Sequence, residues 1–320
     1  MRNFFPVVCI LLLVACSAPA TFTPTHLSIA VPTAAVPTGQ PTATPVYRSK
    51  LGAVERDITY CKASGIVLKM DVYYPKAMSK PAPMVVYVHG GSWSSGSKSD
   101  GMGMTDVPEL LGRGYLVGSV DYRHAPEWKF PAQIEDVKCA IRFLRANSSR
   151  FNLDPNRIGA WGHSAGGHLV ALLGTTDPSA GFEGSGGYSD QSSRIQAAVD
   201  MCGRADLRGM PADKAASVFG ATDSFSDILL RGSPITFVSK DDAPFLILHG
   251  EKDGTVPPPV SQLLYDRLQA VGVPVKLATV KNADHSFNPI DGAMSPTRTE
   301  MTKLIADFFD QYLRASSSSK

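Results

Sequence analysis

Residues 157–173, which read RIGAWGHSAGGHLVALL, decide the fold. Arg157 to Trp161 is a short, mostly apolar run, long enough for one buried strand. Ala165 to Leu173 is rich in alanine and leucine and predicts a helix. Between them Gly162-His163-Ser164-Ala165-Gly166 fits the pattern G-x-S-x-G. This context predicts a tight strand-to-helix turn that holds a strained serine above the sheet. The alternative reading is a glycine-rich packing turn.

Apolar runs typical of buried strands alternate with helical patterns from Met84 onward. The alternation predicts an α/β fold, with a mostly parallel central sheet flanked by helices and joined by right-handed crossovers. Before it, Val54–Cys61 and Ile66–Tyr74 predict a hairpin. Alternation in the second of these strands predicts a solvated face formed by Lys69, Asp71 and Tyr73. The long segment Gly203–Asp242 predicts at most a small cap over the site.

The N-terminal part of the 320-residue chain predicts a targeting segment followed by a linker. Residues 1–16 predict a lipoprotein signal peptide, because the apolar run is short and ends at Cys16, the residue that would carry the lipid. Residues 17–47, rich in threonine and proline, predict a disordered linker. Residues 48–314 are the predicted folded domain, and residues 315–320 a disordered tail. We therefore expect an exported bacterial lipoprotein, anchored to a membrane through its N-terminus.

Charge and cysteine content narrow the function further. The net charge of +2 gives no argument for a nucleic-acid partner. Cys61, Cys139 and Cys202 are an odd number, so at least one lacks an intramolecular partner. We interpret all three as packing residues. In an exported protein, one disulfide among them is the alternative. No group of histidines and cysteines has metal-ligand spacing, so we expect neither a metal nor a cofactor.

A nucleophilic serine needs a base and a carboxylate that orients it, here expected in the chain order serine, carboxylate, histidine. His285 follows the last predicted strand and lies in a polar loop, which makes it the candidate base. Asp253 follows a strand that ends in a glycine turn, and it is the candidate carboxylate. The alternative reading of Asp253 is a turn or helix cap. The rival carboxylates are Glu251, Asp200 and Asp284.

Backbone N–H groups that can bind an oxyanion are predicted at two places. The first is Ala165, where the helix after the serine begins. The second is the loop His89-Gly90-Gly91-Ser92-Trp93, in which Gly91 is the main candidate donor and Ser92 the second. Trp93 and His163 flank these groups and are candidate substrate contacts.

Together these motifs resemble the α/β-hydrolase esterases, and above all the hormone-sensitive-lipase-like and the bacterial feruloyl and acetyl-xylan esterases. The resemblance extends from about Leu51 to Leu313 and rests on the motifs HGGSW at 89–93, DYR at 121–123, APE at 125–127, FPA at 130–132, Asp136, GHSAGG at 162–167 and HGEKD at 249–253. It implies a triad of Ser164, Asp253 and His285, an oxyanion hole at Gly91 and Ala165, and structural roles for Tyr122, Arg123 and Asp136. The hormone-sensitive-lipase-like enzymes usually have HGGG, so HGGSW favours the feruloyl-esterase type and leaves the acyl group open.

The sequence thus predicts a serine carboxylic-ester hydrolase that acts through an acyl-enzyme. Its expected substrates are short-chain or aromatic acyl esters, including acetyl or feruloyl groups linked to polysaccharides. One alternative is an amidase of the kynurenine-formamidase type, with which the HGGSW motif is shared. A second alternative, from another class, is a surface binding protein that retains the fold without catalysis.

Overall fold

The computed structural model describes residues 51–78, 80–224 and 226–314. The predicted signal peptide, Cys16, the linker and the C-terminal tail lie outside these described residues. Within them, no helix has both the length and the apolar character that crossing a bilayer requires.

The core of the protein is an eight-stranded sheet with the order β1-β2-β4-β3-β5-β6-β7-β8. β1 and β2 form the predicted hairpin and pair antiparallel, as do β2 and β4, while all other neighbours pair parallel. The predicted mostly parallel sheet is therefore confirmed. The strands are β1 (Leu51–Ala63), β2 (Ile66–Pro75), β3 (Ala82–Val88), β4 (Leu116–Val120), β5 (Leu153–His163), β6 (Ala197–Met201), β7 (Phe245–Gly250) and β8 (Val275–Val280).

Helices cover both faces of this sheet. The α-helices of the described residues are α1 (Val107–Gly112), α2 (Ala132–Ala146), α3 (Ser148–Phe151), α4 (Ala165–Thr175), α5 (Ala212–Lys214), α6 (Asp227–Gly232), α7 (Pro259–Ala270) and α8 (Arg298–Phe309). Short 3₁₀ or π turns precede α1, follow α4 and α6, and extend α5 and α8.

Side chains alternate strictly along the central strand β3. Met84, Val86 and Val88 pack into the core shared with α2 and α4. Val85 and Tyr87 point the other way, into the core shared with α1 and α8. All five side chains are fully buried, which explains why this strand has a continuous apolar sequence and no polar face.

One sequence prediction about β2 is wrong. Lys69 is exposed, but Asp71 and Tyr73 on the same face are buried. The Asp71 carboxylate binds Lys98 Nζ at 2.9 Å and Arg56 Nη1 at 3.0 Å. β2 is not an edge strand, since it pairs with β1 and β4, and the core beside α1 covers Tyr73. Alternation alone could not show which neighbours lie over that face.

The cysteines also depart from their predicted role as packing residues. Cys61 of β1 and Cys139 of α2 form a disulfide across 78 residues of sequence. Gly186 lies against this bond, because a Cβ placed on it would come 2.6 Å from the Cys139 sulfur. Cys202 is a free, buried thiol, as the odd number requires. The disulfide ties the N-terminal hairpin to the helical layer of the domain.

The segment predicted as a small cap consists of short helical turns. It contains α5 and α6 and packs beside α4, the helix that follows Ser164. Phe219 of this segment contacts the rings of Trp93 and Phe130 at centroid distances of 5.3 Å. The Gly232 carbonyl accepts a hydrogen bond from His168 Nε2 at 2.7 Å. The segment is thus joined to the structure around the candidate site by ring packing and a buried hydrogen bond.

Candidate active site

Ser164 lies in a strained turn between β5 and α4. Its backbone has φ 58° and ψ −120°, an uncommon conformation for any residue except glycine. The Ser164 N–H donates to the Met201 carbonyl at 2.8 Å, and the His168 N–H donates to the Ser164 carbonyl at 3.0 Å. These bonds hold the turn from both sides. The hydroxyl is therefore presented at the carboxyl edge of the parallel strands, as the motif predicts.

Glycine is required on both sides of this serine for steric reasons. A Cβ placed on Gly166 would lie 2.0 Å from the Val88 carbonyl oxygen. A Cβ placed on Gly162 would lie 2.5 Å from the Gly166 carbonyl group and 2.8 Å from the same Val88 oxygen. Since all of these contacts are with backbone atoms, a rotamer change could not relieve them. The two glycines let β3, β5 and α4 meet closely enough to form the turn.

The structure brings the three predicted triad side chains together. His285 Nε2 lies 2.9 Å from Ser164 Oγ, and His285 Nδ1 lies 2.7 Å from Asp253 Oδ2. Asp253 and His285 are 32 residues apart, and His285 and Ser164 are 121 residues apart. Because a carboxylate can only accept, Nδ1 carries the hydrogen and Nε2 is left to accept the serine proton. The hydrogen-bond chain therefore has the direction that base-assisted attack by a serine requires.

Asp253 is held by more groups than the sequence suggested. Its Oδ1 accepts the N–H groups of Thr255 and Val256, both at 2.8 Å. A second histidine, His249, places Nε2 3.1 Å from Oδ2. Burial raises the pKa of Asp253, but hydrogen bonds from His249, His285 and the Val256 N–H outweigh burial and hold it far below its usual range. Asp253 is consequently ionised at neutral pH.

His249 was not predicted to touch the triad. It is 1% exposed, and its Nδ1 lies 2.6 Å from the Ser261 hydroxyl. Its Nε2 also lies 2.9 Å from the Val256 carbonyl, so Nε2 carries the hydrogen and donates toward two acceptors. His249 acts through Asp253 and is a positioning residue. Its place in the motif HGEKD, four residues before the carboxylate, was the available signal.

Three backbone N–H groups are available for an oxyanion. Ala165 is the first residue of α4, so its N–H has no partner within the helix. In the described part of the chain, no acceptor is found for the N–H groups of Gly91 and Ser92. Gly91 has φ +111°, and its carbonyl instead accepts from Ser94 and Ser95 at 3.0 and 3.1 Å. The Gly91 carbonyl thus bonds within its own loop, whereas the N–H groups of Gly91 and Ser92 are left without an acceptor among the described residues.

Gly90 makes a close approach that the sequence did not single out. A Cβ on Gly90 would lie 2.9 Å from the His163 carbonyl oxygen and 3.4 Å from Ser164 Cβ. The first glycine of the loop therefore lets it pass directly beside the serine turn. The second, Gly91, supplies the positive φ that orients the amides.

The two predicted substrate contacts, Trp93 and His163, each form a hydrogen bond within the protein. Trp93 is 7% exposed, and its Nε1 donates to His168 Nδ1 at 3.0 Å. His163 donates from Nε2 to the His285 carbonyl at 2.7 Å, and its ring lies 4.9 Å from the His285 ring. Burial lowers the pKa of His163 to about 4, which keeps the ring neutral. Trp93 thus joins the glycine loop to α4, and His163 bonds the backbone of the candidate base; contact of either residue with substrate stays a prediction.

The rival carboxylates are directed away from His285. Asp200 Oδ1 accepts the Gly203 N–H at 2.7 Å, and burial raises the pKa of Asp200 to about 6. Glu251 Oε2 accepts the Asn282 N–H at 3.0 Å. Asp284 accepts local N–H groups in the loop that carries His285. Only Asp253 among these four contacts the imidazole of His285.

Around the triad, the fold brings together side-chain atoms of the kinds that bind metals, although their spacing in the sequence did not indicate this. Two groups within the described residues have their ligand atoms within 4.8 Å of one another: His163, Cys202 and His285; and Cys202, His249 and Asp253. Burial raises the pKa of the Cys202 thiol far above its usual value, so the sulfur stays protonated. The imidazoles and the carboxylate already bond to one another or to neighbouring groups. The donor set fits a hydrogen-bond network better than a metal centre.

Fold and site together define an α/β-hydrolase arrangement with a serine in the elbow. The chain matches the BD-FAE family model over residues 70–268 and belongs to that family. Esterase LipC of Mycobacterium tuberculosis is 35% identical over 260 residues, which cover 77% of this chain and 62% of LipC. The chain spans between 51% and 62% of the length of the mycobacterial relatives LipC, LipM and LipQ.

Solved structures give the same class. A truncated carbohydrate esterase from gut microbiota superposes with a TM-score of 0.70 at 28% identity, over 82% of this chain and 96% of that one. Esterase 2 of the planctomycete Thermogutta terrifontis, with butyrate bound, has a TM-score of 0.67 at 25% identity, over 81% of this chain and 94% of that one. The predicted resemblance to α/β-hydrolase esterases is confirmed.

Proposed function

We propose that this protein is a serine carboxylic-ester hydrolase that works through an acyl-enzyme. The carrying observation is the chain of hydrogen bonds from Asp253 through His285 to Ser164. His285 Nε2 takes the hydroxyl proton while Ser164 Oγ attacks the ester carbonyl, and the Ala165 and Gly91 N–H groups bind the oxyanion. His285 returns the proton to the leaving alcohol, and water then cleaves the acyl-enzyme by the same route.

The substrates we propose are short-chain or aromatic acyl esters, including acetyl or feruloyl groups linked to polysaccharides. The likeness to a gut carbohydrate esterase and to an esterase that holds butyrate supports this choice. The acyl group must reach Ser164 Oγ beside the glycine loop, which approaches the serine closely at Gly90.

A panel of substrates tests the class of reaction. We expect 4-nitrophenyl acetate, 4-nitrophenyl butyrate and methyl ferulate to be hydrolysed with a higher kcat/KM than 4-nitrophenyl palmitate. N-formylkynurenine, as the amidase substrate, should be turned over more slowly than the short esters. The measurement is kcat/KM for each compound under one set of conditions. Preference for N-formylkynurenine would replace the esterase proposal with the amidase alternative, and preference for palmitate would remove the short-chain assignment.

We propose further that the enzyme is an exported lipoprotein held at a membrane by Cys16. The position of this cysteine at the end of the N-terminal apolar run supports the proposal. The Cys61–Cys139 disulfide also supports export, because such bonds persist in oxidising compartments. In a bacterial host, Cys16→Ala should abolish incorporation of labelled palmitate and move the protein out of the membrane fraction. Unchanged labelling in this variant would disprove the anchor.

A further inference from the structure

Arg204 lies between the two loops that carry the nucleophile and the carboxylate. It follows Gly203, at which a Cβ would come 2.6 Å from the His168 nitrogen in the first turn of α4. On the other side, Arg204 Nη2 lies 3.5 Å from the Thr255 carbonyl oxygen. The N–H of Thr255 in turn binds Asp253 Oδ1 at 2.8 Å. Arg204 therefore stands at the carboxyl edge of the sheet, where open parallel sheets bind their ligands.

Among the residues that the structure describes, Arg204 forms no close ion pair, although Asp206 and Asp253 attract its charge from farther away. Within the described ranges, no carboxylate oxygen lies within the 4.0 Å of an ion pair with Arg204, and the long contact with Thr255 is its one side-chain hydrogen bond. The nearby carboxylate of Asp206 is taken by Arg208, with Nε–Oδ1 at 3.0 Å and Nη2–Oδ2 at 2.6 Å. An arginine whose neighbour is already paired is free to bind something else.

The unbonded N–H groups of Arg204 reach solvent although most of the side chain does not. The residue is only 8% exposed, yet neither Nε nor Nη1 is a sealed, unpaired atom. Most of Arg204 is thus packed in protein, and its unbonded guanidinium N–H groups retain some access to solvent. Burial lowers the pKa of Arg204 against the attraction of Asp206 and Asp253, but an arginine remains charged at every relevant pH.

A planar guanidinium on a fixed stem is suited to one chemical group above others. Its parallel N–H donors match the two oxygens of a carboxylate, and partial burial strengthens such a charge-assisted pair. Preorganisation lowers the entropy lost on binding, since the stem is already immobile. A neutral group could satisfy only the hydrogen bonds and would leave the charge uncompensated.

We propose that Arg204 is a specificity-determining residue that binds a carboxylate on the ester substrate. The inference rests on the proposed esterase function and adds a substrate class to it, namely esters that carry a free carboxylate. That carboxylate can belong to the acyl part, as in a half-ester of a dicarboxylic acid. It can also belong to the alcohol part, as in an acylated hydroxy acid. Both sources present the same group to Arg204, and the test separates them.

The test compares each charged ester with a neutral twin. The acyl-side pair is 4-nitrophenyl hydrogen succinate and 4-nitrophenyl methyl succinate, and the alcohol-side pair is 4-acetoxybenzoate and its methyl ester, followed by acetate release. Spontaneous hydrolysis is subtracted with the Ser164→Ala variant. In at least one pair, wild-type kcat/KM should favour the charged ester about tenfold or more. Arg204→Gln should reduce that ratio by about 10- to 100-fold, the effect of losing hydrogen bonds to a charged group, while the neutral twin changes little.

Arg150→Gln is the control, because it removes the same charge from an exposed ion pair with Glu55, in the short helix that precedes β5. It should leave the charged-to-neutral ratio at the wild-type value. Arg204→Lys, which keeps the charge without the fork, should give an intermediate ratio and serves as the second variant if glutamine impairs folding.

Several results would overturn the proposal. The first is the absence of any charged-ester preference in wild type. The second is an equal fall for both twins in Arg204→Gln, which would mean action through Asp253. The third is the same loss of preference in Arg150→Gln. Failure to hydrolyse even the neutral esters would instead refute the esterase function itself, and this proposal with it.

Discussion

Ser164→Ala is expected to lower kcat on 4-nitrophenyl acetate by about 10⁵- to 10⁶-fold, with the fold intact. The reason is chemical, since Ser164 Oγ is the atom that would form the acyl-enzyme bond, and His285 Nε2, 2.9 Å away, has no other nucleophile to activate. Alanine fits the turn only with strained backbone, as serine does, so the loss should come from chemistry rather than unfolding. The measurement is steady-state kcat together with circular dichroism of the variant.

A matched serine replacement controls for the handling of the variant. Ser189 is exposed in a loop distant in sequence from the triad, and Ser189→Ala should keep the wild-type kcat. If Ser164→Ala retained a tenth or more of the wild-type kcat, the acyl-enzyme mechanism could not be the source of the activity.

Gly166→Ala should destabilise the protein by at least about 3 kcal/mol and lower kcat/KM at least about 100-fold. The new methyl carbon would stand 2.0 Å from the Val88 oxygen and 2.6 Å from the His89 oxygen, so the backbone of β3 or α4 must move. Overpacking costs of this size are usual even where side chains can yield, and here they cannot. The same movement displaces Ser164 from His285, and displacement by about 1 Å is enough for the kinetic loss. Urea unfolding and ester kinetics measure the two effects.

Gly254→Ala is the matched control for stability. A Cβ at this glycine would find no heavy atom within 4 Å. Its free energy of unfolding should stay within about 0.5 kcal/mol of wild type, as for an ordinary surface substitution. A Gly166→Ala protein within 1 kcal/mol of wild type would show that the elbow is not as tightly packed as the contacts indicate.

The elements that position the site could be predicted because they depend on local patterns. A continuous apolar strand, a Gly-rich turn and an Ala/Leu helix each follow from short-range sterics, and together they locate Ser164 at a strand end. Chain order then selects His285, and the glycine turn after β7 selects Asp253. Those three side chains are adjacent in the structure although the sequence separates them widely.

What could not be predicted depends on contacts between distant segments. The burial of Asp71 follows from Lys98 and Arg56 reaching it, and no pattern within β2 records this. The pairing of Cys61 with Cys139 likewise needs the hairpin and α2 to be placed first.

The residues that surround Asp253 could not be predicted for the same reason. His249, Cys202 and Arg204 acquire their relation to Asp253 only when the ends of β6 and β7 lie side by side. Trp93 lies in the glycine loop, and nothing local to that loop records that its Nε1 donates to His168 Nδ1 in the core. Position in a motif indicates which loop a residue belongs to, and it does not give the direction of the side chain.

Covalent labelling of the native protein tests the central claim most directly. Wild type is incubated with a fluorophosphonate, and intact-mass and peptide mass spectrometry locate the adduct. The account predicts one adduct per chain at Ser164, and none in Ser164→Ala. Folded wild type that stays unlabelled at Ser164 would contradict the hydrolase proposal and favour a binding protein that has kept the fold without the reaction.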